Sequence, residues 1–121
     1  MADFETIVGR LIKLGFNRLE AEVYLTLLKE SPLTGYRLAQ ILNKAAANTY
    51  KALESLEKRG AVVAEGSPNV KQYVAIPIAD YMNQLESGFR NDRQFLEESL
   101  KDIKYSISGD KIYMLQTFDQ I

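Results

Sequence analysis

Residues 34–60 read TGYRLAQILNKAAANTYKALESLEKRG. Thr34 is a helix-capping residue, and Tyr36, Leu38, Ala39, Ile41 and Leu42 follow it at the spacing of a helix that buries one face. Asn43-Lys44 is a tight break. A second helix is predicted from about Ala45 to Arg59. Its inward row is Thr49, Leu53 and Leu56, and Tyr50 stands on the shoulder of that row, with the core rather than with a ligand. Gly60 stops this helix, and Lys58 and Arg59 suit the negative end of its dipole. Two helices across so short a turn, the second amphipathic and basic, make a helix-turn-helix pattern.

Upstream, Phe4, Ile7, Val8, Leu11, Ile12 and Leu14 recur at helical spacing before Gly15. Asn17 with Glu20 three residues on resembles a capping box, and Leu19, Val23, Tyr24, Leu27 and Leu28 form the next apolar stripe. Pro32 closes that helix, because the residue before a proline avoids helical angles. Downstream the period changes from helical to alternating. Ala61–Ala64 and Gln72–Ile76 read as strands around a Gly/Ser/Pro/Asn-rich loop, and Pro77 stops the second. A hairpin directly after the basic helix is the wing of a winged helix. The expected fold is therefore mainly α with a small β-hairpin, a winged helix-turn-helix over residues 1–77.

A long helix is predicted over 78–105, broken only by Gly88. Ile78, Met82, Leu85, Phe89, Leu96 and Ile103 fall at alternating steps of four and three once Asp92 and Ser99 fill the vacant places. Such a coiled-coil-like seam cannot be buried by its own helix. It packs on a second copy or folds back on the first helix, and a homodimer is the favoured arrangement. Ser106–Asp110 reads as a turn and Lys111–Thr117 as a lone strand, which either pairs across a dimer or, as the favoured expectation, belongs to a further domain that residues 106–121 open.

Composition removes most chemistry. The chain has no cysteine and no histidine, hence no disulfide, no imidazole base and no zinc site of the usual kind. No phosphate-binding Gly-rich loop and no nucleophile motif occurs. The expectation is a non-enzyme without a cofactor, outside the membrane and cytoplasmic. The net charge of −1 hides a local asymmetry. Residues 34–60 carry five cations (Arg37, Lys44, Lys51, Lys58, Arg59) against Glu54 and Glu57, a net +3, whereas residues 78–105 carry four against six. A phosphate backbone needs a local positive patch rather than a basic whole, so double-stranded DNA is the partner this segment would face.

The stretch Leu14 to Pro77 resembles the TrmB family of winged-helix regulators, which mostly control sugar transport and metabolism. The resemblance rests on Leu14-Gly15-Phe16, Glu20-Ala21-Glu22-Val23-Tyr24-Leu25, Leu27-Leu28, Tyr50, Leu53, Leu56, Gly60 and Tyr73-x-Ala75-x-Pro77. It implies a longer parent protein, with a small-molecule, sugar-like effector bound by a domain that follows the long helix. It also marks a departure: Ala46 and Ala47 stand where family members often carry an Arg and a Ser or Thr.

In a helix-turn-helix the amino end of the second helix reads the major groove. The candidate DNA-binding residues are Lys44, Ala46, Ala47, Asn48 and Lys51 there, Arg37 on the preceding helix, and Ser67, Asn69 and Lys71 on the wing. Asn48 has the chemistry to read adenine, Lys51 to bond guanine or a phosphate, and an alanine methyl to touch thymine. The rival expectation is a winged helix used for protein contact without DNA, which the alanines and the sparse wing charge favour.

Overall fold

Asp3 accepts the Thr6 amide at 2.8 Å and so starts α1 (Phe4–Lys13), which runs out at Gly15 with its φ of +106°. A computed structural model describes residues 2–103, 105–108 and 111–114 of the chain. The helix α2 (Arg18–Lys29) begins with a complete capping box. Asn17 Oδ1 accepts the Glu20 amide and Glu20 Oε1 accepts the Asn17 amide, each at 2.8 Å. Two of the donors that a helix start leaves orphaned are thus satisfied reciprocally. Thr34 caps α3 (Gly35–Leu42) by accepting the Arg37 amide at 3.0 Å, and Asn43, at φ +55°, makes the left-handed turn out of it. The next helix, α4 (Ala46–Arg59), starts one residue later than the sequence pattern suggests, with Ala45 as its cap. Gly60 at φ +84° ends it.

The strands β1 (Val62–Ser67) and β2 (Val70–Ala75) pair antiparallel, from Val62 opposite Ala75 to Ser67 opposite Val70. Both are longer than their apolar runs. The expected seven-residue loop shrinks to a turn at Pro68-Asn69, because backbone pairing continues through Glu65, Gly66, Lys71 and Gln72 whatever their polarity. Gly66 permits this, since its φ is +96° and a Cβ there would come within 2.6 Å of the Val70 carbonyl oxygen. Leu33 and Tyr73 exchange two backbone hydrogen bonds, at 3.1 and 2.7 Å, and tie the α2–α3 connection to β2. No local pattern foretells this bridge.

The chain divides into two units, Met1–Tyr81 and Met82–Ile121. In the first, Val8, Leu11, Phe16, Val23, Tyr24, Leu27, Leu38, Leu53, Leu56, Val62 and Tyr73 are buried. Phe16 meets Tyr24 and Tyr81 edge-on at 5.8 Å each, within the range where aromatic edges and faces attract. The Tyr24 hydroxyl donates to the Ile76 carbonyl at 2.7 Å and so fixes the end of the hairpin on α2. Tyr81 belongs to the first turn of α5 (Ile78–Leu100).

In the second unit α5 stops at Leu100, short of the expected Tyr105. Ile103 therefore lies beyond the helix and is not a member of its stripe. Leu100 takes that place instead. At about 100° per residue, Ile78, Met82, Leu85, Phe89, Leu96 and Leu100 lie within a band about 60° wide. Phe89 and Phe95 are 69% and 68% exposed, and Phe95 stands off the band. The lone terminal strand is also corrected. β3 (Tyr105–Ser108) pairs antiparallel with β4 (Lys111–Met114), so Ser106–Ser108 is strand rather than turn. The expected strand residues 115–117 lie outside the described residues.

Candidate nucleic-acid interface

The packing of α4 decides which of its residues are available. Thr49, Ala52, Leu53 and Leu56 are buried, and the Thr49 hydroxyl donates to the Ala45 carbonyl at 3.0 Å, which leaves its methyl to the core. The opposite side of the helix is then Ala47, Lys51, Glu54 and Lys58, all exposed. Asn48 and Ser55 lie on one flank. Tyr50 lies on the other.

Of the five cations between residues 34 and 60, two are engaged. Lys58 pairs with Glu54 at 3.6 Å. Arg59 turns back into its own unit, where its guanidinium donates to the Gly15 carbonyl, stands 5.3 Å above the Phe16 ring and approaches Glu20 at 3.9 Å. Nothing near Arg59 in the sequence announces this, since its partners lie about forty residues upstream. Among the described residues Arg37, Lys44 and Lys51 have no carboxylate at ion-pairing distance, and all three are exposed. Arg37 Nη1 donates to Gln40 Oε1 at 3.3 Å, a contact within its own helix.

Ala45 and Ala47 at the start of α4 are exposed, and Ala46 is half-buried. The cap carries no side-chain hydrogen bond, so the first amides of this helix point outward without a partner from Ala45. On the hairpin, Ser67, Asn69 and Lys71 are exposed, and Ser67 Oγ accepts the Val70 amide at 3.3 Å. The cations Arg37, Lys44 and Lys51 thus share the helix-turn-helix, while Lys71 is the wing's single one.

Tyr50 departs from its expected place. It is 44% exposed, and its ring lies over Gly35, where a Cβ would fall 2.5 Å from the ring edge. Glycine at the first residue of α3 is what lets the two helices close there. Burial raises the Tyr73 phenol above its ordinary range, with Glu57 and Tyr50 adding smaller effects.

Between α2 and the Asn48 flank runs a crevice of ≈ 380 Å³ lined by Asn17, Leu19, Glu20, Asn48, Lys51, Ala52 and Ser55. Ser55 was legible from Asn48, seven residues earlier on the same helix side. Glu54 was likewise legible from Ala47. Among the described residues no three carboxylates stand together to hold a metal ion, and no helix is long and apolar enough to cross a membrane.

This order of helices, hairpin and long helix is the winged-helix fold. The chain superposes with a TM-score of 0.56 on TrmBL2, described as an archaeal chromatin protein with a novel mode of DNA binding, at 24% identity over 80% of this chain and 40% of that one. It superposes at 0.51 on the transcriptional regulator BldR from Sulfolobus solfataricus, at 19% identity over 83% of this chain and 73% of that one. At sequence level the family described as "Sugar-specific transcriptional regulator TrmB" matches residues 11–79. The chain belongs to that family, which is one of transcriptional regulators and not of enzymes. It is also similar to the Bacillus subtilis (strain 168) protein YrhO, 43% identical over 74 residues, or 60% of this chain. The matched part is 26% of that relative's length.

Proposed function

We propose that this chain is the DNA-binding part of a transcription regulator and that it grips duplex DNA as a homodimer. The observation that carries the reading is the start of α4. Its amino end is exposed, and Lys44, Lys51 and Arg37 stand on the same helix-turn-helix without carboxylate partners among the described residues. The helix enters the major groove, with Ala46 and Ala47 toward the base edges, while Arg37, Lys44, Lys51 and the wing residues Ser67, Asn69 and Lys71 meet phosphates. With two alanines at the base-reading end, discrimination between sequences is shallow, and shape readout by the wing supplies part of it.

Two copies join through the α5 stripe of Ile78, Met82, Leu85, Phe89 and Leu96, with Leu100 in place of Ile103. A row of large apolar side chains this exposed favours a partner helix. The pairing sets two half-sites about one helical turn apart. The family assignment supports a sugar-like effector bound outside these residues, in a further domain for which β3 and β4 provide the first strands, and a cytoplasmic setting for the whole.

Fluorescence titration with random duplex at low salt tests the DNA reading. Weak binding that disappears as salt rises is expected. No binding even at the lowest salt would leave the rival reading, a protein-contact module, which the near-neutral charge favours. Light scattering tests the pairing, and a mass equal to one chain at micromolar concentration would exclude it.

A further inference from the structure

The crevice between α2 and α4 has a definite chemistry. On the α4 side it is lined by Asn48, Lys51 and Ser55, spaced over seven residues on one side of the helix, which carry an amide, an ammonium and a hydroxyl. All three can donate hydrogen bonds, and none is used in a side-chain bond within the described residues. On the other side it is lined by Leu19 and Glu20 of α2 and by the cap residue Asn17. The start of α2 is already satisfied, because Asn17 and Glu20 cap each other. The carboxylate of Glu20 is buried, accepts the Asn17 amide and has the guanidinium of Arg59, the last residue of α4, at 3.9 Å, so a cation already faces its charge.

We infer that this crevice seats one backbone phosphate of the bound duplex, held by Asn48, Lys51 and Ser55. The inference rests on the DNA reading above and goes beyond it, because it moves Asn48 from base reader to positioning residue. An α-helix with its side chains is about 10–12 Å across, close to the width of the major groove. A helix that inserts its Ala47–Lys51–Glu54 side toward the bases must lay its two flanks along the two sugar–phosphate strands. Asn48 and Ser55 are on the flank that opens into the crevice. Lys51 stands at the edge between base side and flank, where its long stem reaches the phosphate. Three donors around a tetrahedral oxyanion fix the depth and rotation of the helix in the groove, which alanines at positions 46 and 47 cannot do.

The test uses the 121-residue chain and a duplex enriched by it from a random library. Single phosphates of that duplex are replaced, one at a time, by uncharged methylphosphonate. On the unmodified duplex, Ser55→Ala and Asn48→Ala should each weaken binding roughly fivefold, the worth of one net hydrogen bond. Lys51→Ala should weaken it more and lower the salt slope by about one. At one methylphosphonate position per half-site all three effects should shrink together to less than about twofold, because the shared partner has gone. Library enrichment with Asn48→Ala should return the parental base preference.

A changed base preference for Asn48→Ala, or losses that stay the same at every methylphosphonate position, would overturn the seat while leaving DNA binding intact. Absence of any enrichment by the parent chain would remove the DNA reading and the seat together. Inorganic phosphate forms a separate arm. Saturable binding of it at micromolar concentration, with no methylphosphonate coupling, would assign the crevice to a free anion and refute the seat.

Discussion

Deleting one hydroxyl from each of two neighbouring buried tyrosines should lower stability at one position and leave it unchanged or raised at the other. Tyr24 and Tyr81 lie in one cluster, their ring centroids 6.4 Å apart, and both are essentially excluded from solvent. Their hydroxyls differ. Tyr24 donates to the Ile76 carbonyl at 2.7 Å, whereas the Tyr81 hydroxyl is buried with no hydrogen-bond partner among the described residues. Tyr24→Phe keeps the ring packing, removes one bond and leaves the Ile76 carbonyl without its donor, a cost of about 1–2 kcal/mol. Tyr81→Phe removes a polar group that is desolvated without return, which is neutral to favourable by up to about 1 kcal/mol. For a domain of this size 1 kcal/mol moves Tm by roughly 4–8 °C. Thermal unfolding followed by circular dichroism should therefore fall by about 5–15 °C for Tyr24→Phe and hold or rise by a few degrees for Tyr81→Phe. If both substitutions lower Tm by the same amount, Tyr81 has a partner, and this account of how α5 joins the core is wrong.

Three further outcomes are expected. Gly66→Ala forces a Cβ against the Val70 carbonyl at positive φ, so the hairpin should lose amide protection in hydrogen exchange while the α2–α4 core keeps its own. Arg59→Ala removes the link to the Gly15 carbonyl and the contact with the Phe16 ring, so denaturant unfolding should show a loss of about 1–3 kcal/mol, and the salt slope of duplex binding should not change. In alkali, burial pushes the Tyr24 phenol up to about 12, with the neighbouring Tyr81 adding to it, so the native state holds a proton that the unfolded chain releases near pH 10. Stability should be intact below about pH 10, fall as pH rises toward 12, and fall less in Tyr24→Phe. A pH-independent midpoint between 9 and 11.5 would contradict this.

The helices were legible because each carries its own punctuation. Thr34, Asn17 and Gly60 act within three or four residues of where they stand, and the apolar rows repeat within a turn. The hairpin's length was not legible, since Glu65, Gly66, Lys71 and Gln72 pair through their backbones and carry no strand signal of their own. The end of α5 was missed for a related reason: Ile103 keeps the seam's spacing after helical hydrogen bonding has stopped. At the candidate interface, Lys44, Lys51 and Arg37 could be picked out by charge. Arg59 could not be separated from them, because its partners at Gly15, Phe16 and Glu20 are far away in the chain. Tyr50 was assigned to the core on spacing alone, and only the approach of Gly35 explains how it lies on the surface and still packs.

The most direct check is the salt dependence of duplex binding by the parent chain and by a Lys44→Ala/Lys51→Ala double variant. Each phosphate neutralised by a cation contributes about 0.9 to the slope of log affinity against log salt, so the double variant should lose nearly two per set of contacts and bind more weakly at low salt. Parallel lines of equal affinity would mean that the start of α4 is not the surface that meets DNA.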